Sequence, residues 1–111
     1  MHEYGLAEGV LDAVRQRADG RKVNAIRVRF GVRHAVDEPS LAQAFEMVAA
    51  GTEAADAAVT LITVPATLTC QDCGYSGDTT DVLAVCPRCS GDNVAISGGE
   101  EMTLESITYT G

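Results

Sequence analysis

Four cysteines, spaced as Cys70-Gln71-Asp72-Cys73 and Cys86-Pro87-Arg88-Cys89, set the strongest condition on how this 111-residue chain can fold. The pattern is C-x2-C-x12-C-x2-C, and it uses every cysteine in the sequence. A two-residue gap lets one tight turn aim two thiolates at a single point. Two such turns close a tetrahedral four-sulfur site of the kind that structural zinc takes. Gly74 follows the first pair, where glycine reaches backbone conformations that other residues resist. Pro87 stiffens the second turn. Two disulfides would need an oxidising compartment. A redox dithiol would account for one pair only. An iron–sulfur cluster also takes four thiolates, but paired turns of this kind are more typical of zinc ribbons. Four cysteine ligands leave no open position for a substrate, so a structural zinc, one per chain, is expected. The twelve residues between the pairs cannot build a core, and the metal must hold this lobe together.

The remaining sequence suits one domain of ordinary size carrying a metal-held lobe. Trp is absent, with two Phe and three Tyr, so aliphatic side chains must fill the core. No apolar run approaches the ~20 residues of a membrane span. The opening residues, Met-His-Glu-Tyr-Gly-Leu-Ala-Glu, lack the features of a signal peptide, which makes a cytoplasmic location the expectation. The formal net charge is −8 and it is uneven. Residues 1–33 hold seven Arg and Lys against four Asp and Glu, whereas residues 34–111 hold one Arg against twelve acids. Acidity of this extent argues against nucleic acid as a partner, because phosphate binding needs a basic footprint. Neither glycine-rich nucleotide motif is present.

Tyr4, Ala7, Leu11, Val14 and Ala18, with Val10 beside them, recur at helical spacing and predict a helix over about residues 4–19. Ile26, Val28, Phe30 and Val32 alternate with Arg27, Arg29, Gly31 and Arg33, which predicts a strand over 23–32 with one buried and one basic face. Asp37-Glu38-Pro39-Ser40 opens a second helix with Leu41, Ala44, Phe45 and Val48 inward, ended by Gly51. Val59–Val64 reads as a β-branched second strand, and Met102–Thr110 as the last. The run Leu104-Glu105-Ser106-Ile107 breaks alternation and predicts a bulge near Ser106. The fold class expected is α+β: two helices packed on a three-stranded mixed sheet, with an inserted four-Cys zinc-ribbon lobe. The division expected is residues 1–66 plus 97–111 for the main domain and 67–96 for the zinc-binding domain.

Met1-His2-Glu3 forms a second candidate site. A terminal α-amine, the His2 backbone nitrogen and its imidazole can close adjoining chelate rings, and nitrogen-rich tetragonal sites suit Ni(II) or Cu(II). Glu3 offers a backbone nitrogen or a carboxylate, or serves simply as an acid at a helix start. A loop histidine such as His34 is ordinarily a solvated surface residue.

Taken together, Met-His-Glu opening the first helix, the Pro39…Ala44-Phe45-Glu46-Met47-Val48…Gly51-Thr52 segment, Val64-Pro65, and C-x2-C-G…C-P-x-C before a closing strand resemble the HypA/HybF family of nickel metallochaperones, in order and spacing. The resemblance covers essentially the whole chain. It implies a non-enzymatic protein that carries Ni(II) as transient cargo on His2, with the Met1 amine and Glu3, for maturation of [NiFe]-hydrogenase. It implies structural Zn(II) on Cys70, Cys73, Cys86 and Cys89. It implies as partners a nickel-handling GTPase, the hydrogenase large-subunit precursor and, in some relatives, urease maturation factors, in a monomer or homodimer. Gly5 stands where the family usually has Ser, and Ser90-Gly91 follows Cys89 where Gly often comes directly. The Arg33–Val36 loop also departs from the family, which leaves open whether His34 is an extra ligand. A zinc-ribbon interaction module without a nickel role is the alternative. It predicts bound zinc and no stoichiometric nickel.

Overall fold

The structure is a computed structural model describing residues 2–81 and 85–110. Helix α1 spans His2–Ala18, strand β1 Val23–Gly31, α2 Glu38–Ala49, β2 Ala58–Val64, β3 Ala66–Cys70, β4 Ser76–Thr79, β5 Val94–Ser97 and β6 Met102–Tyr109. The strands form two three-stranded sheets, ordered β2-β1-β6 and β4-β3-β5. The first is mixed, as expected, and the two helices belong with it. Thr110 N–H donates to Lys22 C=O and Gly31 N–H to Glu101 C=O, so β1 and β6 run antiparallel. β2 returns beside β1 through α2, the crossover that a parallel pair requires. Two compact units result: Met1–Arg29, Val36–Ile62 and Thr103–Gly111 form one, and Phe30–Ala35 with Thr63–Met102 form the other.

In the first unit α1 buries Ala7, Val10, Leu11, Val14 and Ala18, and packs on α2, which buries Leu41, Ala44, Phe45 and Ala49. β1 adds Val23, Ile26 and Val28 to this core. Glu3 lies in the first turn of α1 and Arg15 and Arg17 in the last, each at the dipole end that favours its charge. α2 starts where Asp37 accepts a hydrogen bond from Ser40 N–H at 2.8 Å, with Pro39 in the first turn. Its end is marked by Gly51 at φ 80°, a conformation in which a side chain would be strained.

Three features differ from the periodicity reading. α1 begins two residues earlier, at His2, and Tyr4 is exposed rather than core. β1 stops at Gly31, and Val32–His34 form a 3-10 turn closed by Ala35 at φ 53°. In β6 the buried positions change phase between Leu104 and Ile107, but β1 changes phase as well, between Val23 and Ile26. The hydrogen bonds at the two ends of this strand pair carry the same offset, so the change of face involves both strands and leaves no net register shift.

The second unit holds β3 between β4 and β5, both antiparallel to it, with Ala66 opposite Thr79 and Cys70 opposite Val94. Alternation along β3 buries Ala66, Leu68 and Cys70 on one face. Periodicity does not reveal β3 and β4, because Thr67–Thr69 and Ser76–Thr79 are too short and polar to signal strands on their own.

Candidate metal centre

The first cysteine pair sits on the turn that ends β3. Gly74 N–H donates to Cys70 C=O, Cys70 N–H donates to Tyr75 C=O, and Cys73 N–H points at Cys70 Sγ at 3.5 Å. The second turn repeats the two backbone bonds at the same offsets, Ser90 N–H donating to Cys86 C=O and Cys86 N–H to Gly91 C=O, while the N–H that points at its leading sulfur comes one residue earlier, from Arg88 to Cys86 Sγ at 3.4 Å. Each C-x2-C thus folds locally so that the backbone donates to its own leading sulfur. Gln71 N–H donates to Asn93 C=O, and Asn93 Nδ2 donates to Asp72 Oδ1 at 3.1 Å, which ties the first turn to the start of β5.

All four sulfurs lie within 4.8 Å of one another. Cys70 and Cys89 stand 3.7 Å apart, and Cys73 and Cys86 3.5 Å. A disulfide would need about 2.05 Å, and all four cysteines are free. Zinc–sulfur bonds of about 2.3 Å in a tetrahedron set sulfurs roughly 3.8 Å apart, which matches this cluster. Proton affinities fit a cation as well. Burial disfavours the Cys86 thiolate, but the backbone N–H groups of Cys89 and Arg88, with the thiols of Cys73 and Cys89, outweigh it and bring the pKa down to about 7. Cys89 is pushed up to about 12: the Gly91 N–H favours its thiolate, but the Cys70 thiol, burial, and the Cys86 and Cys73 thiols prevail. Cys73 is raised too; the Tyr75 backbone favours its thiolate, while burial and the Cys86 and Cys70 thiols outweigh it. One thiolate forms readily here, and further like charges need a central cation. Among the described residues, this is the one group of at least three Cys, His, Asp or Glu close enough to share a metal ion.

His2 opens α1 with its side chain 58% exposed, and its Nδ1 lies 3.1 Å from Glu3 Oε2. Met1 lies outside the described residues. Glu3 and Tyr4 line a cleft of about 300 Å³ with Ser40, Gln43, Ala44 and Met47. Sequence reasoning missed this cleft by counting Tyr4 into the buried stripe. The readable signal was Met47, an apolar residue off the stripe of α2. His34 is half-buried in the second unit, its Nε2 2.9 Å from Glu100 O and its ring packed on Phe30.

A two-helix, mixed-sheet unit combined with a four-thiolate ribbon defines a small metal-handling α+β protein. The chain belongs to the HypA family: the family model described as hydrogenase/urease nickel incorporation, metallochaperone, hypA, matches residues 1–109. The hydrogenase maturation factor HypA of Rhodobacter capsulatus is 34% identical over 110 residues, covering 96% of this chain and 97% of that protein. That of Syntrophus aciditrophicus is 35% identical over 104 residues, 91% of each. The solution structure of the Ni metallochaperone HypA from Helicobacter pylori superposes with a TM-score of 0.62 at 26% identity, over 96% of both chains. No helix among the described residues is long and apolar enough to cross a membrane.

Proposed function

We propose that this protein binds one Ni(II) at its N-terminus through His2, the Met1 amine and Glu3, and delivers it for [NiFe]-hydrogenase maturation. Cys70, Cys73, Cys86 and Cys89 hold one structural Zn(II). The observation that carries the nickel assignment is the position of His2: a largely exposed imidazole on the first turn of α1, 3.1 Å from the Glu3 carboxylate. The cysteine cluster, with sulfur spacings that match a zinc tetrahedron, supports the zinc assignment.

Residues 1–66 with 97–111 carry the nickel in this reading, and residues 67–96 the zinc. Nickel on an exposed terminal chelate can leave when protons compete for His2 and the α-amine. The soft thiolates are enclosed in the zinc site and do not compete for the cargo. Transfer calls for a nickel-handling GTPase and the hydrogenase large-subunit precursor as partners, and for urease maturation factors where that enzyme is served. It proceeds in the cytoplasm, where thiols stay reduced. No catalytic group is required of this chain.

The test is metal analysis and nickel titration on protein with a native N-terminus, beside His2→Gln. One zinc in both proteins, with one nickel in the wild type alone, is the expected result. Zinc without stoichiometric nickel in either would leave a zinc-ribbon interaction module.

A further inference from the structure

The four sulfurs differ in what surrounds them. Cys70 and Cys86 are 1% and 0% exposed, Cys73 is half-buried, and Cys89 is exposed. Gly91 adds to that exposure. A side-chain carbon at position 91 would stand 3.3 Å from Cys89 Sγ, so glycine leaves this flank of the sulfur uncovered. Two short sulfur separations run between the turns: Cys89 with Cys70 at 3.7 Å, and Cys73 with Cys86 at 3.5 Å.

We propose that Cys89 is the site at which hydrogen peroxide oxidises this protein, and that the first product is a Cys89–Cys70 disulfide bridging the two metal-binding turns. This rests on the reading of the cluster as a zinc site, in which every sulfur is held as a thiolate and remains a nucleophile. Peroxide needs a line of approach to sulfur, and Cys89 is the one exposed cysteine of the four, with no side chain at position 91 against its sulfur. Its thiolate attacks one peroxide oxygen and releases hydroxide, leaving a sulfenic acid. The Cys70 sulfur, 3.7 Å away, then attacks the Cys89 sulfur and displaces a second hydroxide. Two thiolates have lost two electrons, and one peroxide has become two hydroxides. The sulfurs close from 3.7 Å to a bond of about 2.05 Å with a small side-chain movement. Cys73 and Cys86 remain reduced, and two thiolates do not retain a structural zinc. The lobe therefore surrenders its metal at the first oxidation, which makes it a peroxide-sensitive element of a nickel-handling protein.

The sequence makes the assignment readable. Trypsin cuts after Arg88 and separates Cys86 from Cys89. Cleavage before Asp72 separates Cys70 from Cys73, and cleavage before Asp78 or Asp81 separates Cys73 from Cys86. Purified protein is assayed for zinc, treated with sub-stoichiometric hydrogen peroxide in the presence of a chromophoric chelator, alkylated, digested with both proteases and analysed by mass spectrometry. The expected result is a first crosslink joining the Cys89 and Cys70 peptides, with one zinc released for each peroxide consumed. Gly91→Ala, which covers the flank of Cys89, is expected to keep its zinc and to react several-fold more slowly. A first crosslink of Cys86 to Cys89, of Cys70 to Cys73, or of Cys73 to Cys86 would overturn the assignment. So would an unchanged rate in zinc-loaded Gly91→Ala. Absence of zinc before treatment would overturn the structural-zinc reading and this proposal with it, whereas bound zinc followed by a different first crosslink would overturn this proposal alone.

Discussion

Ser90, four residues after Cys86, holds the left-handed backbone that Gly74 holds four residues after Cys70, at φ 64° against 80°. The two turns share their backbone hydrogen bonds as well, so they are closely similar local structures built with different residues. Glycine adopts this conformation freely, while a residue with a Cβ is strained by about 1–2 kcal/mol. Glycine also gives the unfolded chain about 0.4–1 kcal/mol of extra entropy, which offsets part of the gain. Ser90→Gly is therefore expected to stabilise the second turn by about 0.5 kcal/mol. A slower loss of zinc to a competing chelator, with a slightly higher unfolding temperature, is the readout.

Gly31 and Gly99 meet backbone to backbone. A Cβ on Gly31 would run into the Gly99 carbonyl, and one on Gly99, at φ 75°, would meet the Ala66 methyl at 2.9 Å. Neither neighbour is the far end of a flexible side chain. Gly31→Ala is expected to cost about 3 kcal/mol or more, the upper range for overpacking. Chemical denaturation should show a large fall in midpoint, and a loss below ~1 kcal/mol would contradict this contact.

Asp37 caps α2, and the Ser40 backbone N–H, helped by the Ser40 hydroxyl, holds its carboxyl below the usual carboxylate range against a small effect of burial. The folded protein binds this proton more weakly than the unfolded chain does. The cap's contribution is thus complete above the ordinary carboxylate value near ~4 and disappears as pH falls through the lower folded value. Asp37→Ala should lower the unfolding temperature by a few degrees at pH 7, and the gap should narrow on acidification toward pH ~3. Asp37→Asn, which caps without titrating, should lose less and show no such narrowing.

Glu105 on β6 pairs with Arg27 Nε at 2.6 Å and approaches Arg29 at 3.6 Å. The pair is about half exposed, with 52% for the Arg27 side chain, so solvent screens it. Glu105→Gln should cost about 0.5–1 kcal/mol at low salt and less at 1 M salt. A double-mutant cycle with Arg27→Gln isolates the pair. An interaction energy independent of salt would show that the arginines are held by something else.

Chelation of zinc should unfold the β4-β3-β5 lobe, because metal binding is the larger part of its folding free energy, of order ~10 kcal/mol. Amide hydrogen exchange in β3 and β5 reads this directly. Protection that survives complete removal of zinc would show that the lobe has a sufficient core of its own.

The local parts of this protein are legible in the order of its residues alone. Spacing aims Cys70 and Cys73, and Cys86 and Cys89, at common points. The stripe Ala7, Leu11, Val14, Ala18 and the Asp37–Ser40 cap announce α1 and α2, because helix geometry over one or two turns depends on neighbours in sequence. Periodicity also counts Tyr4 inward and carries β1 on to Val32, since it registers polarity and cannot see where a strand meets another backbone. The tertiary structure decided the rest: that Gly31 presses on Gly99, that His34 pairs with Glu100, that Glu105 draws Arg27 and Arg29 together, and that one of four equivalent cysteines faces solvent. Each of these joins residues far apart in the chain or depends on what covers a side chain. Such proximity is settled by how the elements pack, which no local pattern encodes.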